Sequence, residues 1–252
     1  MKRPLLILKE SLNHFRSFSS IYLGYSAWIL IPTLGIVLLD LAPKSDMFGA
    51  AELLAFLLVI LGTIGIIWIS VILVHLATKL ESDTPIDFEA IQTTSLKQIP
   101  AILVVAGLQL LLFIGGVMML IIPIFFFIVW YTFAQISVIL DDKHGMEALV
   151  YSKKLVKGNY WYVALGMIGV PVLIGLVFTL ITSVIIVFIA KSTGQDVLSL
   201  FTSEQEPVWI TAINAIGQLF VIPIGSIYAT KFYLSFKSEL LEKPLVTEPQ
   251  IG

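Results

Sequence analysis

The chain has 252 residues, of which 58% are hydrophobic and only 13% charged, with a mean hydropathy of +0.98 and a net charge of −2. A soluble domain carries about 25% charged residues, so this composition suits a helix bundle exposed to lipid, not a core wrapped in a polar surface. The absence of cysteine excludes disulfides, thiol catalysis and cysteine-ligated zinc or iron–sulfur clusters; without a basic domain or a binding motif, nucleic acid is excluded as a partner.

Lys2 and Arg3 look like the charged start of a signal peptide, but the apolar run from Leu5 to Leu8 is too short for its core and ends at Lys9 and Glu10. Leu5, Leu8, Leu12 and Phe15 recur instead at helical spacing. They predict an amphipathic helix lying on the membrane ahead of the first span.

Crossing about 30 Å of hydrocarbon takes roughly 20 apolar residues. Residues 21–41 are the first such run, with Asp40 as their one charge, and Ala42-Pro43-Lys44-Ser45-Asp46 reads as a polar turn. Residues 53–77 are the second, bounded by Glu52 and Lys79. Glu81-Ser82-Asp83-Thr84-Pro85 is loop chemistry, and Asp87 is placed to cap a short helix running to Gln98. Residues 100–140 hold no charge at all. One helix of that length would measure roughly 60 Å, about twice the bilayer core, so the segment must fold back. Pro123 is the expected place, since the residue before a proline is pushed out of the helical region, and the spans become 101–121 and 123–140. Residues 141–159 are polar with a helical pattern, 161–190 form the fifth span with Pro171 inside it, 191–207 a polar loop, and 208–232 the sixth span.

The basic residues test this layout, because cytoplasmic segments collect lysine and arginine. With the N-terminus inside, Lys2, Arg3, Lys9, Arg16, Lys79, Lys97, Lys143, Lys153, Lys154, Lys157, Lys231, Lys237 and Lys243 are internal, 13 of the chain's 15; only Lys44 and Lys191 are external. The expectation is an all-α polytopic membrane helix bundle: one integral membrane domain over 1–252, six transmembrane helices, both termini cytoplasmic, and interfacial amphipathic helices on the cytoplasmic side. Residues 5–18, 87–99 and 145–158 each present an amphipathic stretch and a small break before an outward-going span, which suggests three repeats of surface helix plus hairpin.

Two groups of residues are candidates for function. In the segment from His144 to Trp161, Ala148, Leu149, Ser152, Leu155 and Val156 share one helical face and Glu147, Lys154 and Lys157 lie opposite, with Gly158 fitting a C-cap and Trp161 an interfacial anchor. The plain reading is a surface helix that seats the next span. The sharper one makes Lys153, Lys154, Lys157 and Trp161 a contact for anionic lipid headgroups, or for another membrane or cytoplasmic protein. On the sixth span, Thr211, Asn214 and Gln218 fall on one face. They act either as interhelical glue or as the polar path of a transporter or lipid translocator. No membrane-central charge accompanies them, which argues against ion coupling. His14, His75 and His144 are in no ligand spacing, and no phosphate loop, nucleophile elbow or zinc-protease motif is present. No cofactor, metal or catalytic residue is expected, and the reading is of a non-enzymatic protein.

The run Ile136-Ser137-Val138-Ile139-Leu140-Asp141-Asp142, followed by Gly145, Glu147-Ala148-Leu149, Ser152, Leu155 and Lys157-Gly158-Asn159-Tyr160-Trp161, resembles a signature of a broad prokaryotic superfamily. Its members include the membrane domain of glycerophosphodiester phosphodiesterases and the YciC-like inner-membrane proteins. The Ile121-Ile122-Pro123 turn is similar to that family's hairpin. The resemblance implies a multi-pass architecture in the prokaryotic cytoplasmic membrane. It does not imply esterase activity, because the catalytic barrel and its His-Arg-Gly type motif are missing from this sequence.

Overall fold

The structure is a computed structural model that describes residues 3–41, 49–82, 84–118, 122–197, 200 and 207–242. The described residues are helical, without strands. Six stretches, Ser19–Leu38, Glu52–Glu81, Phe88–Val117, Ile124–Asp141, Tyr160–Ser192 and Val208–Ser238, are long and apolar enough to cross a membrane. The expected turn at 42–46 lies outside the described residues.

Helix α1 (Pro4–Ser17) is amphipathic, but the face it docks on the protein is Ile7 and Ser11. Leu5 and Leu12 stay exposed, where lipid can receive them. The first span is broken into α2 (Ser19–Ser26), a 3-10 turn at Ala27–Ile29 and α3 (Leu30–Leu41). Pro32 explains the break, since its ring crowds the Trp28 carbonyl and offers it no N–H. Helix α4 (Ala50–Glu81) is longer than the predicted second span.

Helix α5 (Phe88–Met118) corrects one expectation: the surface helix and the third span are one continuous helix that carries Pro100 inside it. The Asp87 cap is real, with the Ala90 N–H donating to Asp87 Oδ1 at 3.0 Å. Of the three expected repeats, only the first and third therefore have a separate leading helix. The helix break expected at Pro123 is not found there. Helix α6 (Ile122–Trp130) already contains that proline, in the first turn where a missing N–H is harmless; residues 119–121 are outside the described set. A second break follows at residues 131–133, before α7 (Ala134–Asp141). Helix α8 is Gly145–Val156, and the fifth span is α9 (Tyr160–Ala164), a π-helical turn at Leu165–Gly169 and α10 (Val170–Ser192). The π turn sits just ahead of Pro171, whose missing N–H breaks the α ladder. Helix α11 (Val208–Glu242) outruns the predicted sixth span by ten residues.

The chain divides into two compact units: Met1–His14, Val74–Val170 and Ser226–Gly252 form the first, and Phe15–Leu73 and Pro171–Gly225 the second. In the second unit close helix approach depends on glycine. A Cβ at Gly62 would lie 2.5 Å from Pro32, and one at Gly217 would lie 2.1 Å from the Phe178 ring. In the first unit the core is aromatic. Phe133, Tyr162, Phe232 and Phe236 stack with centroids 5.4–6.3 Å apart, and Tyr233 meets Phe133 edge-on at 5.3 Å.

Gly166, inside the π turn, lets Phe232 into this stack: a Cβ there would come within 2.2 Å of the ring. Overpacking of this kind costs about 1–3 kcal/mol. We expect Gly166→Ala to lower the thermal unfolding midpoint in detergent, and Gly166→Ala with Phe232→Leu to recover most of the loss, since the smaller side chain vacates the space. Additive losses in the double variant would contradict this account.

Candidate functional site

The segment that links the fourth and fifth spans is built by local backbone chemistry. Asp142 takes the left-handed conformation (φ 52°) that ends α7, and the Lys143 N–H donates to the Ser137 carbonyl at 3.2 Å. Gly145, at φ 50°, opens α8. Lys143 and Glu147 pair at 2.6 Å across one helical turn; the bond to Glu147 pushes the lysine pKa up. Ala148, Leu149, Ser152 and Val156 are buried, as their shared face predicts, while Glu147, Lys154 and Lys157 are exposed opposite. The helix closes in a type II turn. Lys157 has φ −55° and ψ 126°, Gly158 has φ 87°, and the Asn159 N–H donates to the Val156 carbonyl at 3.0 Å.

Ser152 is the residue that ties α8 to the fourth span. Its hydroxyl donates to the Trp130 carbonyl at 2.7 Å and accepts from the Phe133 N–H at 3.1 Å. Both groups belong to the break at 131–133. Gln109 of α5 serves the same break: its Nε2 donates to the Tyr131 carbonyl at 2.8 Å, and Gln135 Nε2 donates to its Oε1 at 3.1 Å. Beside this bracing lies a cleft of about 220 Å³ lined by Gln109, Phe113, Phe127, Tyr131 and Thr132 among others.

The four residues expected to meet lipid or a partner all lie on the surface. Lys153 sits over the Trp130 ring at 4.5 Å, Lys154 and Lys157 are exposed, and Trp161 is 77% exposed. Tyr160 anchors the turn from beneath, donating to the Phe125 carbonyl at 2.9 Å. On α11, Thr211 and Asn214 are half-buried and Gln218 is exposed.

Sequence reading missed a second polar centre. The Asp141 side chain is only 10% exposed and accepts from the Tyr233 hydroxyl and the Lys237 ammonium, two residues one turn apart on α11. Lys231, only 9% exposed, pairs with Glu81 at 2.8 Å. Gln98 bridges His75, which it meets at 2.9 Å, and the Ile139 carbonyl, to which it donates at 3.1 Å. The i, i+4 spacing of Tyr233 and Lys237 is the one signal the sequence offers. Among the described residues, no group of three or more His, Cys, Asp or Glu is placed to hold a metal ion.

Six long apolar helices, with no strand among the described residues, define a multi-pass, all-helical membrane protein. The chain belongs to the family described as DUF7847, a domain of unknown function, which matches residues 48–236. No curated protein and no solved structure matches the chain.

Two expectations follow. Ser152→Ala strands a backbone carbonyl and an N–H, each such group being worth about 1–3 kcal/mol when buried; it should destabilise the protein far more than Ser238→Ala, which loses one exposed hydroxyl bond. An equal effect on the unfolding midpoint would show that the break needs no brace. His14 has its pKa lowered by burial and by nearby Lys231, against the raising effect of Glu81. The unfolded chain therefore binds this proton more readily than the folded one, so stability is full above about pH 6.5 and falls as the pH drops below it. Unfolding midpoints measured between pH 7.5 and 5 should show that fall, and His14→Gln should flatten it. An unchanged profile would remove His14 from the account.

Proposed function

We propose that this protein is a non-enzymatic membrane scaffold that presents the basic end of α8 to anionic lipid headgroups. The observation that carries the reading is the exposure of Lys153, Lys154, Lys157 and Trp161 on a segment held rigid by Ser152 and by the turn at Gly158. A lysine near an anionic surface contributes about 1 kcal/mol, and an exposed tryptophan favours the headgroup level. The charged and amide groups inside the first unit pair with one another: Asp141 with Tyr233 and Lys237, Lys231 with Glu81, Gln98 with His75. That supports a structural role for them rather than chemistry on a substrate.

In this reading the membrane is the prokaryotic cytoplasmic membrane and both termini are cytoplasmic, supported by the placement of 13 of 15 basic residues on one side of the six-span layout. The Asp141–Trp161 segment supports kinship with the membrane domain of glycerophosphodiester phosphodiesterases and with YciC-like proteins, in architecture and not in esterase activity.

The test replaces Lys153, Lys154 and Lys157 together by glutamine. In nanodiscs of phosphatidylcholine and phosphatidylglycerol at three to one, the native chain should enrich phosphatidylglycerol around itself. The triple variant should insert normally and lose that enrichment by about tenfold or more, as three lysines at roughly 1 kcal/mol each imply. Unchanged enrichment in a well-inserted variant would sink the proposal.

A further inference from the structure

The first unit carries its own ruler. Helix α5 runs antiparallel to α6 and α7, and three pairings set the register. Gln98 reaches the Ile139 carbonyl, Gln109 reaches the Tyr131 carbonyl, and a Cβ at Gly116 would sit 3.1 Å from Ile124. Gln109 is about 16 Å along α5 from Gln98, at 1.5 Å per residue. Helix α8 then doubles back along α7. It starts four residues beyond the end of α7 at Asp141, yet Ser152 is bonded to Trp130 and Phe133.

The basic end of α8 therefore lies at the height of Trp130 and Gln109, not at the height of Asp141 and Gln98. Polar, outward-facing groups on this side run from Asp142, His144 and Glu147 down to that lower level, where Lys153, Lys154, Lys157, Gln135 and the exposed ring of Trp161 lie. Above it, α7 is no lipid-facing helix, because Ala134, Ile136, Ser137, Val138 and Ile139 are all buried in protein. The outer face of α5 behaves differently. Leu103 and Val104, nearer the charged end of the unit than Gln109, are 48% and 55% exposed and call for hydrocarbon. Two faces of one unit thus require the headgroup plane at two heights.

We propose that the protein dents the bilayer: phosphate headgroups and water descend beside α8 and α9 to Lys153–Trp161, roughly 10–16 Å below the plane they keep along α5. Along α6 only Ile122–Trp130, about 14 Å of helix, remains beneath the dent, half the usual hydrocarbon thickness. The occupant is the headgroup layer itself. This rests on the reading that α8 faces headgroups and adds to it the depth at which they are met.

The chain has no cysteine, so single nitroxide labels can be placed without background. Lys154→Cys, Lys157→Cys and Leu103→Cys are labelled in turn in vesicles of phosphatidylcholine alone, and collision with oxygen is compared with collision with a water-soluble nickel chelate. Labels at 154 and 157 should favour nickel, and the label at 103 should favour oxygen, although 103 lies about 9 Å nearer the charged end of the unit than Gln109. Nickel access at all three sites would mean that the unit stands clear of a flat bilayer. Oxygen preference at all three would mean that α8 is submerged without a dent. Either result overturns the proposal. No anionic lipid is present, so loss of phosphatidylglycerol selectivity in the triple lysine variant leaves this measurement standing, and the two readings fail separately.

Discussion

Hydrocarbon offers no partner to a broken helix, and the break at 131–133 is the point around which the first unit is organised. The Trp130 carbonyl and the N–H of Phe133 lose their places in the α ladder there, while the Tyr131 carbonyl accepts from the Ala134 N–H in a tighter turn. Left unmet in lipid, each such group costs several kcal/mol. Ser152 meets both, and Gln109 adds a second donor to the Tyr131 carbonyl. That requirement fixes where α8 must end, because the serine has to reach the break, and the Gln109 bond aligns α5 with the same point. The lysines that follow Ser152 are carried to their level by the same bond. Placed there in undisturbed hydrocarbon, each would cost about 2.5–3.5 kcal/mol at the bilayer centre, which is the force behind a displaced headgroup plane.

The apolar run from residue 100 to 140 illustrates why hydropathy decides count and not environment. A helix buried among protein side chains and a helix bathed in lipid need the same residues, and periodicity does not separate them. Ala134, Ile136, Val138 and Ile139 are apolar because α5, α8 and the aromatic end of α11 enclose them; residues 110–117 are apolar largely because they are exposed. The number of long apolar helices was legible. Which half of the fourth one touches lipid was not, because that depends on where α8 lies.

Short-range chemistry was readable to the residue. Gly158 takes a positive φ in the turn where a C-cap was expected, Asp87 caps α5, and the buried face of α8 is the predicted one with Leu155 left half-buried. Prolines were harder. Pro32 and Pro171 interrupt their helices, whereas Pro100 and Pro223 sit inside continuous ones, and only the surrounding packing separates the two cases. The Asp141 centre was hidden for a different reason. Its partners are 92 and 96 residues away, and no local pattern announces a pairing made by two spans that meet only after the chain has crossed the membrane again.

That long-range pairing explains why buried charges persist at the end of an otherwise apolar helix. A buried ion pair is a poor source of net stability, since desolvation offsets most of the attraction, but breaking one is severe because it leaves the other charge uncompensated. Helix α11 bonds through Tyr228 to the Gly166 carbonyl, through Lys231 to Glu81, and through Tyr233 and Lys237 to Asp141. Its apolar side chains alone would tolerate sliding, because Phe232 and Phe236 repeat at one helical turn and a one-turn shift would exchange like for like. The polar contacts do not repeat that way. Slipped by four residues, Lys231 would lose Glu81 and be left buried without its partner, and Tyr228 would lose the Gly166 carbonyl. The charges thus select one register for a helix whose aromatic stack admits more than one, and that register seats Phe232 against Gly166 and Phe133.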